Sequence, residues 1–116
     1  MNLLSGEGIT HHETPYGRVA VVASQPEFEV AWIYKEDEPV DPSLSTMEVD
    51  DVIVVLQGGL KLELRGEEPH DIVLGPGDVF TIPAGVPFRG YRYPREQTQP
   101  TIFLGIYRRR EEHHAR

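Results

Sequence analysis

The chain contains no cysteine. This absence excludes disulfide bonds, thiolate catalysis and cysteine-ligated zinc. Long hydrophobic runs are also missing: none is longer than the run at residues 52–56, which is far too short to cross a bilayer, and no secretory hydrophobic segment follows Met1. We therefore expect a cytoplasmic protein with no membrane partner.

Positive charge is scarce. Eleven lysines and arginines stand against 19 aspartates and glutamates, which gives a net charge of −8 at pH 7. An acidic surface repels polyanions, so we expect no nucleic-acid partner. The arginine run at residues 108–110 is followed by two glutamates. We interpret residues 109–116 as a solvated, charged tail, with a short helix as the alternative.

Helical periodicity is lacking as well. Period-two patterns and turn residues instead predict eight short strands: residues 18–24, 28–35, 49–57, 60–65, 70–74, 78–82, 86–93 and 101–108. This spacing is typical of an all-β sandwich or barrel. At 116 residues the chain is one domain. It divides into an N-terminal arm with a peripheral strand (1–27), a barrel core (28–108) and the tail.

Three strand features carry structural predictions. Phe28, Val30, Trp32 and Tyr34 alternate along one face of their strand, and we expect this face to point into the barrel. Residues 52–56 are apolar on both faces, which predicts that another layer or a second subunit covers the outer one. The two glycines at 58–59 predict a hairpin between neighbouring strands.

The sequence GDVFTIPAGVPFRGYR, residues 77–92, contains closely spaced turn residues between two strands. Its spacing resembles the second sequence motif of the cupins: Gly77, Pro83 and Gly85 occupy the glycine and proline positions. Phe88 stands where that motif has histidine, and Arg92 where it has asparagine.

The first cupin motif is matched only in its second half. Asp51 stands at the glutamate position, and Gly58 follows at the expected distance. The two histidine positions hold Ser45 and Met47, or Leu44 and Thr46 in the other register. The resemblance covers about residues 28–107. It implies a single-domain cupin jelly roll, also called a double-stranded β-helix barrel.

Many cupins bind a metal ion through three histidines and a glutamate. The resemblance therefore implies that a metal site in this chain would use the corresponding positions. Here only Asp51 offers a good ligand at those positions, so we predict no metal and no other cofactor. His11 and His12 of the N-terminal arm are the candidates for an unconventional metal site. His70, His113 and His114 are expected on the surface or in the tail.

The predicted ligand site lies inside the barrel. Alternation from Asp51 places Ile53 and Val55 inward, and the same reasoning places Phe88, Gly90 and Arg92 on one inner face. The complete set of candidate ligand-binding residues is Trp32, Tyr34, Met47, Asp51, Phe88, Arg92, Phe103 and Tyr107. An alternative is that these aromatic residues simply fill the core.

Asp51 and Arg92 are the two charges expected inside, and buried charges need partners. They could pair with each other, or Arg92 could bind an anionic ligand. Alternatively, Arg92 extends to the solvated rim and Asp51 bonds to the backbone.

These features favour a small cupin that binds a small organic molecule, with an anionic ligand as one option. A metal-independent isomerase, epimerase or lyase is the alternative, with Asp51 as base and Tyr107 or Tyr34 as acid. A metal-dependent enzyme using His11 or His12 and a purely structural dimerisation domain are further options. Every option is compatible with a homodimer, which we expect.

Overall fold

The computed structural model describes residues 1–109, which form nine β-strands. Their bounds are β1 (His12–Thr14), β2 (Gly17–Ser24), β3 (Phe28–Lys35), β4 (Asp51–Gln57), β5 (Leu60–Leu64), β6 (His70–Leu74), β7 (Val79–Ile82), β8 (Phe88–Arg92) and β9 (Thr101–Arg108). All eight predicted strands are confirmed to within two residues at each end. The ninth, β1, is the peripheral strand of the N-terminal arm.

The strands form two antiparallel sheets. Sheet A has six strands in the order β1-β2-β3-β9-β4-β7, and sheet B has three in the order β6-β5-β8. The main core lies between them and takes its buried side chains from both sheets: Ile53, Val55, Leu60, Leu62, Leu64, Leu74, Ile82 and Phe103. The expected all-β jelly roll is therefore confirmed.

The turns in residues 77–92 follow the prediction closely. Gly77 and Gly85 have φ angles of 88° and 82°. This left-handed region is open to glycine and unfavourable for residues with a side chain. Gly77 therefore lies in the turn between β6 and β7, and Gly85 in the turn between β7 and β8, at positions where other residues would strain the backbone.

The hairpin predicted at Gly58–Gly59 is wrong. β4 pairs with β7 and β9 in sheet A, whereas β5 pairs with β6 and β8 in sheet B. The two glycines carry the chain from one sheet to the other. A turn sequence indicates a local change of direction, but it does not determine which strands then pair.

The prediction that Trp32 and Tyr34 face the barrel interior is also wrong. Trp32 is 2% exposed, yet it belongs to a second cluster on the outer face of sheet A. Leu3 and Ile9 of the N-terminal arm pack against this cluster. The Trp32 indole Nε1 donates a hydrogen bond of 2.8 Å to the Leu3 carbonyl. The arm thus buries the more aromatic face of β3, and the other face points inward.

The two-sided apolar run in β4 is partly covered on its outer face by the cluster around Trp32. Ile53 and Val55 face the main core, while Leu56 packs against the outer cluster. Val52 and Val54 are half-buried.

The described residues include no helix long and apolar enough to cross a membrane. Of the predicted tail only Arg109 is described, so the helix considered there, together with His113 and His114, lies outside the described residues.

Candidate functional site

A cavity of about 250 Å³ opens between the inner face of sheet A and sheet B. Its apolar wall comes from both sheets, and its polar groups gather at its two ends. The lining residues are Tyr16, Val19, Ala31, Ile33, Lys35, Asp41, Ser43, Ser45, Asp51, Ile53, Leu62, Phe88, Arg89, Gly90, Phe103, Gly105 and Tyr107. The barrel is therefore not completely filled by core side chains.

The loop of residues 36–50, between β3 and β4, forms the roof of the cavity. Ser45 and Phe88 exchange two backbone hydrogen bonds of 2.8 Å, which join this loop to sheet B. The Arg89 guanidinium donates a 3.0 Å hydrogen bond to the Pro42 carbonyl. The roof is thus held through hydrogen bonds to its own backbone groups, made by the backbone of Phe88 and the side chain of Arg89, and it belongs to neither sheet.

Asp51 is the charged residue deepest in the cavity. It begins β4 and is only 7% exposed. Its carboxylate Oδ1 has no hydrogen-bond partner within residues 1–109, so the backbone bond that we considered for this oxygen does not form. Burial raises the pKa of Asp51 to about 6, because the charged form loses its hydration.

Gly105 provides the space that Asp51 occupies. A Cβ atom at position 105 would lie 3.1 Å from Oδ1 of Asp51, which is tighter than an ordinary contact. Glycine in the interior of a strand weakens the strand, and it often marks a close approach of another group. Here that group is a carboxylate at the cavity wall.

Tyr107 lies directly opposite Asp51 across the β4–β9 ladder, and Glu29 lies opposite Tyr107 on β3. The Tyr107 hydroxyl donates a 3.1 Å hydrogen bond to Glu29 Oε1. Burial raises the pKa of Tyr107, and the bond to Glu29 raises it further. The phenolic proton is therefore held by Glu29, while the ring lines the cavity beside Asp51.

Phe88 and Phe103 occupy the predicted inner positions. Both line the cavity, together with Ile53 and Gly90. Phe88 also packs against the main core. The side chain at the histidine position of the motif is thus both a wall of the cavity and a support of the core.

Sequence reasoning missed Lys35. It lines the cavity, and its ammonium donates a 2.8 Å hydrogen bond to the Tyr16 carbonyl. Burial lowers the pKa of Lys35 below the usual range. The residue was overlooked because the inner face of β3 was assigned to its neighbour Tyr34. The apolar residues Leu3 and Ile9 in the N-terminal arm were the available signal that the arm covers the face of β3 that carries Trp32 and Tyr34.

Tyr34 lies on the outer face of sheet A. It stacks on Trp32 with the ring centroids 5.6 Å apart, and its hydroxyl donates to Glu36. Neither aromatic residue lines the cavity. The role of Tyr34 as an acid inside the barrel is therefore wrong.

Arg92 and Met47 also lie outside the cavity lining. Arg92 is 7% exposed, so the expected extension into solvent at the rim is wrong. Its guanidinium donates to the Arg95 carbonyl, and no ion pair with Asp51 forms within residues 1–109. The Met47 carbonyl accepts a 2.8 Å bond from the Gly85 amide, a role that fixes the roof.

The residues at the metal positions do not fit a transition-metal ion. Asp51, Ser45 and Phe88 line the cavity, which offers one carboxylate and one hydroxyl where imidazole ligands are preferred. His11 instead bonds to Glu13, and neither His11 nor His12 lines the cavity. Residues 1–109 contain no group of three or more potential metal ligands.

Several solved structures resemble this chain over most of its length. KdgF from Halomonas sp. matches with a TM-score of 0.71 and 20% identity, covering 90% of this chain and 92% of KdgF. An RmlC-like cupin from Shewanella frigidimarina matches with a TM-score of 0.68 and 17% identity, covering 93% and 91%.

The oxalate decarboxylase of Lactobacillus farciminis, solved as a formate complex, matches with a TM-score of 0.73 and 17% identity. The match covers 85% of this chain and only 30% of that enzyme. No protein-family model matches the chain, and no curated protein matches it. At these identities the structural likeness establishes the fold alone.

Proposed function

From the cupin fold of this chain, we propose that the protein binds a small organic molecule in the cavity between its two sheets, without a metal ion. The cavity volume of about 250 Å³ lies just below the range of about 300–1,000 Å³ for drug-sized ligands. It exceeds the roughly 150 Å³ that holds benzene in an engineered protein cavity. A compact molecule with one ring, or of similar bulk, fits this space.

The single observation that supports binding is the state of Asp51. A buried carboxylate oxygen without a hydrogen-bond partner is destabilising. A purely structural domain gains nothing from such a residue at its cavity wall. A ligand that donates a hydrogen bond to the Asp51 carboxylate from the cavity reduces this penalty, so part of the destabilisation of the free protein is recovered as binding free energy.

The proposal is tested with benzyl alcohol, titrated into isotopically labelled protein and followed by NMR. We expect saturable shifts at the amides of Gly90 and Gly105, which line the cavity, with an affinity in the millimolar range or tighter. Ala31→Leu should weaken binding about tenfold or more, because Ala31 lines the cavity and a larger side chain fills it.

Ala84→Leu is the matched control, because Ala84 is exposed and lies outside this cavity. It should bind benzyl alcohol as the wild type does. A wild-type titration without saturable shifts at Gly90 and Gly105 would contradict the proposed function. Equal binding by Ala31→Leu and the wild type would place the ligand elsewhere.

Metal-independent proton transfer is the second candidate function, and the raised pKa of Asp51 favours it. A carboxylate with a pKa near 6 is suited to exchange protons near neutral pH. Asp51 would take a proton from a carbon beside a carbonyl, leaving an enolate, and then return a proton to it.

This candidate predicts that the protein accelerates exchange of the α-hydrogens of cyclohexanone with D₂O, measured by NMR. Asp51→Asn should abolish the acceleration, whereas Asp37→Asn, at an exposed carboxylate, should retain it. Exchange at the uncatalysed rate with wild-type protein would count against Asp51 as a general base for ketones.

A further inference from the structure

The electrostatic surroundings of Asp51 restrict the chemistry of the ligand. The neighbours of Asp51 across the sheet are Tyr107 on β9 and Ile82 on β7. The hydroxyl of Tyr107 donates to Glu29 and is not available to Asp51 in that arrangement. Glu29 in turn forms a 3.1 Å ion pair with Arg109, so the guanidinium of Arg109 is engaged by Glu29 and makes no ion pair with Asp51. The charge of Asp51 therefore has no counterion within residues 1–109.

The basic groups at the cavity mouth are already engaged. The Lys35 ammonium donates to the Tyr16 carbonyl, and Arg89 forms a 2.8 Å ion pair with Glu63. Lys35 also lies six residues along β3 from Glu29, which is about 20 Å along a strand. Neither cation is placed to neutralise Asp51 at the other end of the cavity.

Aromatic side chains form part of the cavity wall. Phe88, Phe103 and Tyr107 line the same cavity as Asp51. The face of an aromatic ring attracts a cation through its quadrupole, most strongly where water is excluded. A deep carboxylate beside aromatic rings favours a cationic group with an apolar body over an anion or a hydrocarbon.

We propose that the ligand bound in this cavity is an organic ammonium compound, with its protonated nitrogen on Asp51 and its apolar body between Phe88 and Phe103. This inference rests on the proposed function and specifies its ligand class. It replaces the anionic ligand suggested by the sequence, because Arg92 is turned away to the Arg95 carbonyl while the carboxylate lies in the cavity. An N⁺–H group on the cavity side of Asp51 neutralises the charge of its carboxylate, which has no counterion within residues 1–109.

The test compares benzylamine with benzyl alcohol, two probes of nearly the same size and shape. Each is titrated by NMR at about pH 7.5 into the wild type, Asp51→Asn and the control Asp37→Asn. We expect the wild type and Asp37→Asn to bind benzylamine about tenfold or more tightly than benzyl alcohol. Asp51→Asn should bind the two probes with affinities equal to within about twofold.

Each outcome separates this inference from the proposed function. Saturable binding of benzyl alcohol with no preference for benzylamine would overturn the ammonium inference and leave the binding function standing. A preference that persists in Asp51→Asn would also overturn it. If neither probe binds the wild type, the proposed function is contradicted and the inference with it. Binding of benzyl alcohol to Asp51→Asn shows that the variant cavity is intact.

The pH dependence of the wild type provides a second test that requires no variant. The titratable and charged groups next to Asp51 are Tyr107 on β9 and, behind it, Glu29 on β3 with its ion-pair partner Arg109. Lys35 and Arg89 line the same cavity but lie near Asp41 of the roof loop, and Leu62 and Phe88 of sheet B carry no charge. The preference for benzylamine should shrink below pH 6 as Asp51 gains a proton. A preference unchanged between about pH 5 and 7.5 would contradict the assignment of the ammonium to Asp51.

Discussion

Asp51 and Tyr107 lie opposite each other on β4 and β9, and they differ in whether their polar atoms are hydrogen-bonded. The Tyr107 hydroxyl is bonded to Glu29, whereas Oδ1 of Asp51 has no partner within residues 1–109. The same pair of strands thus contains a satisfied polar group and an unsatisfied one. This contrast gives the cavity a defined polar end.

Stability should depend on pH through Asp51. The pKa of this group is raised from 3.8 to about 6 in the folded protein by burial. The folded state therefore binds a proton more tightly than the unfolded state. The destabilisation is absent below about pH 3.8, grows as pH rises to about 6, and is complete above that. A rise in pKa of this size corresponds to a loss of about 3 kcal/mol in the free energy of unfolding once Asp51 is charged.

Asp51→Asn should therefore stabilise the protein by about 1–3 kcal/mol at about pH 7.5, measured by urea unfolding, and by almost nothing at about pH 4. The lower bound reflects the amide, which also needs partners. The control Asp37→Asn changes the same charge at an exposed position and should show no such trend. If Asp51→Asn stabilises the protein equally at both pH values, burial of the Asp51 charge is not the cause of the stabilisation.

Gly105→Ala should destabilise the protein by about 1–3 kcal/mol, because the new Cβ would lie 3.1 Å from Oδ1 of Asp51. Gly66→Ala is the matched control: its new Cβ would meet Val86 at an ordinary 3.5 Å. Urea unfolding of both variants measures the difference.

The clash can be assigned by a double-mutant cycle. In an Asp51→Ala background the penalty of Gly105→Ala should fall, because the contacting oxygen atoms are gone. A penalty that is the same in both backgrounds would point to the backbone of β9, rather than to Asp51, as its origin.

The N-terminal arm should be an integral part of the fold. Leu3 packs against the outer cluster of Trp32, whereas the adjacent Leu4 is 54% exposed. Leu3→Ser should lower the free energy of unfolding by about 1–2 kcal/mol and shift the emission of Trp32, the single tryptophan, to longer wavelength. Leu4→Ser should change neither. Identical behaviour of the two variants would contradict the packing of the arm on β3.

We propose that the protein is a homodimer that packs through the outer face of sheet A not covered by the arm. Val52 and Ile106 are half-buried there, and Val79 is 60% exposed. Sedimentation at micromolar concentration should give twice the chain mass of 13.1 kDa. Val79→Lys should favour the monomer, and Val73→Lys, at a 55% exposed position on sheet B, should not. A wild-type mass near 13.1 kDa would contradict the dimer.

The sequence predicted the local features of the fold well. The turns at Gly77 and Gly85 and the alternation of Leu60, Leu62 and Leu64 depend on residues close together in the chain, and the structure confirms them. The inner positions of Asp51, Phe88, Phe103 and Tyr107 follow from the same alternation. Four of the eight candidate site residues therefore line the cavity, and their role in binding remains a prediction.

The features that depend on distant contacts could not be predicted. Alternation shows that β3 has two faces, but the arm, more than 20 residues earlier in the chain at Leu3, decides that Trp32 faces outward. Arg92 was placed inside by alternation, and its final direction depends on the Arg95 carbonyl in a following loop. Lys35 was missed for the same reason as Trp32 was misplaced.

The roof of the cavity is the loop of residues 36–50, joined to sheet B through the backbone of Ser45 and Phe88. Asp41, Ser43 and Ser45 bring its polar groups to the cavity. The ladders of both sheets are complete without these side chains. Selectivity at the cavity mouth can therefore diverge by substitutions in this loop, while the strands that provide most of the stability remain unchanged. Part of the ligand specificity of this chain can thus change in a loop outside the strand ladders, whereas Asp51 and Phe88 tie the rest of it to the strands.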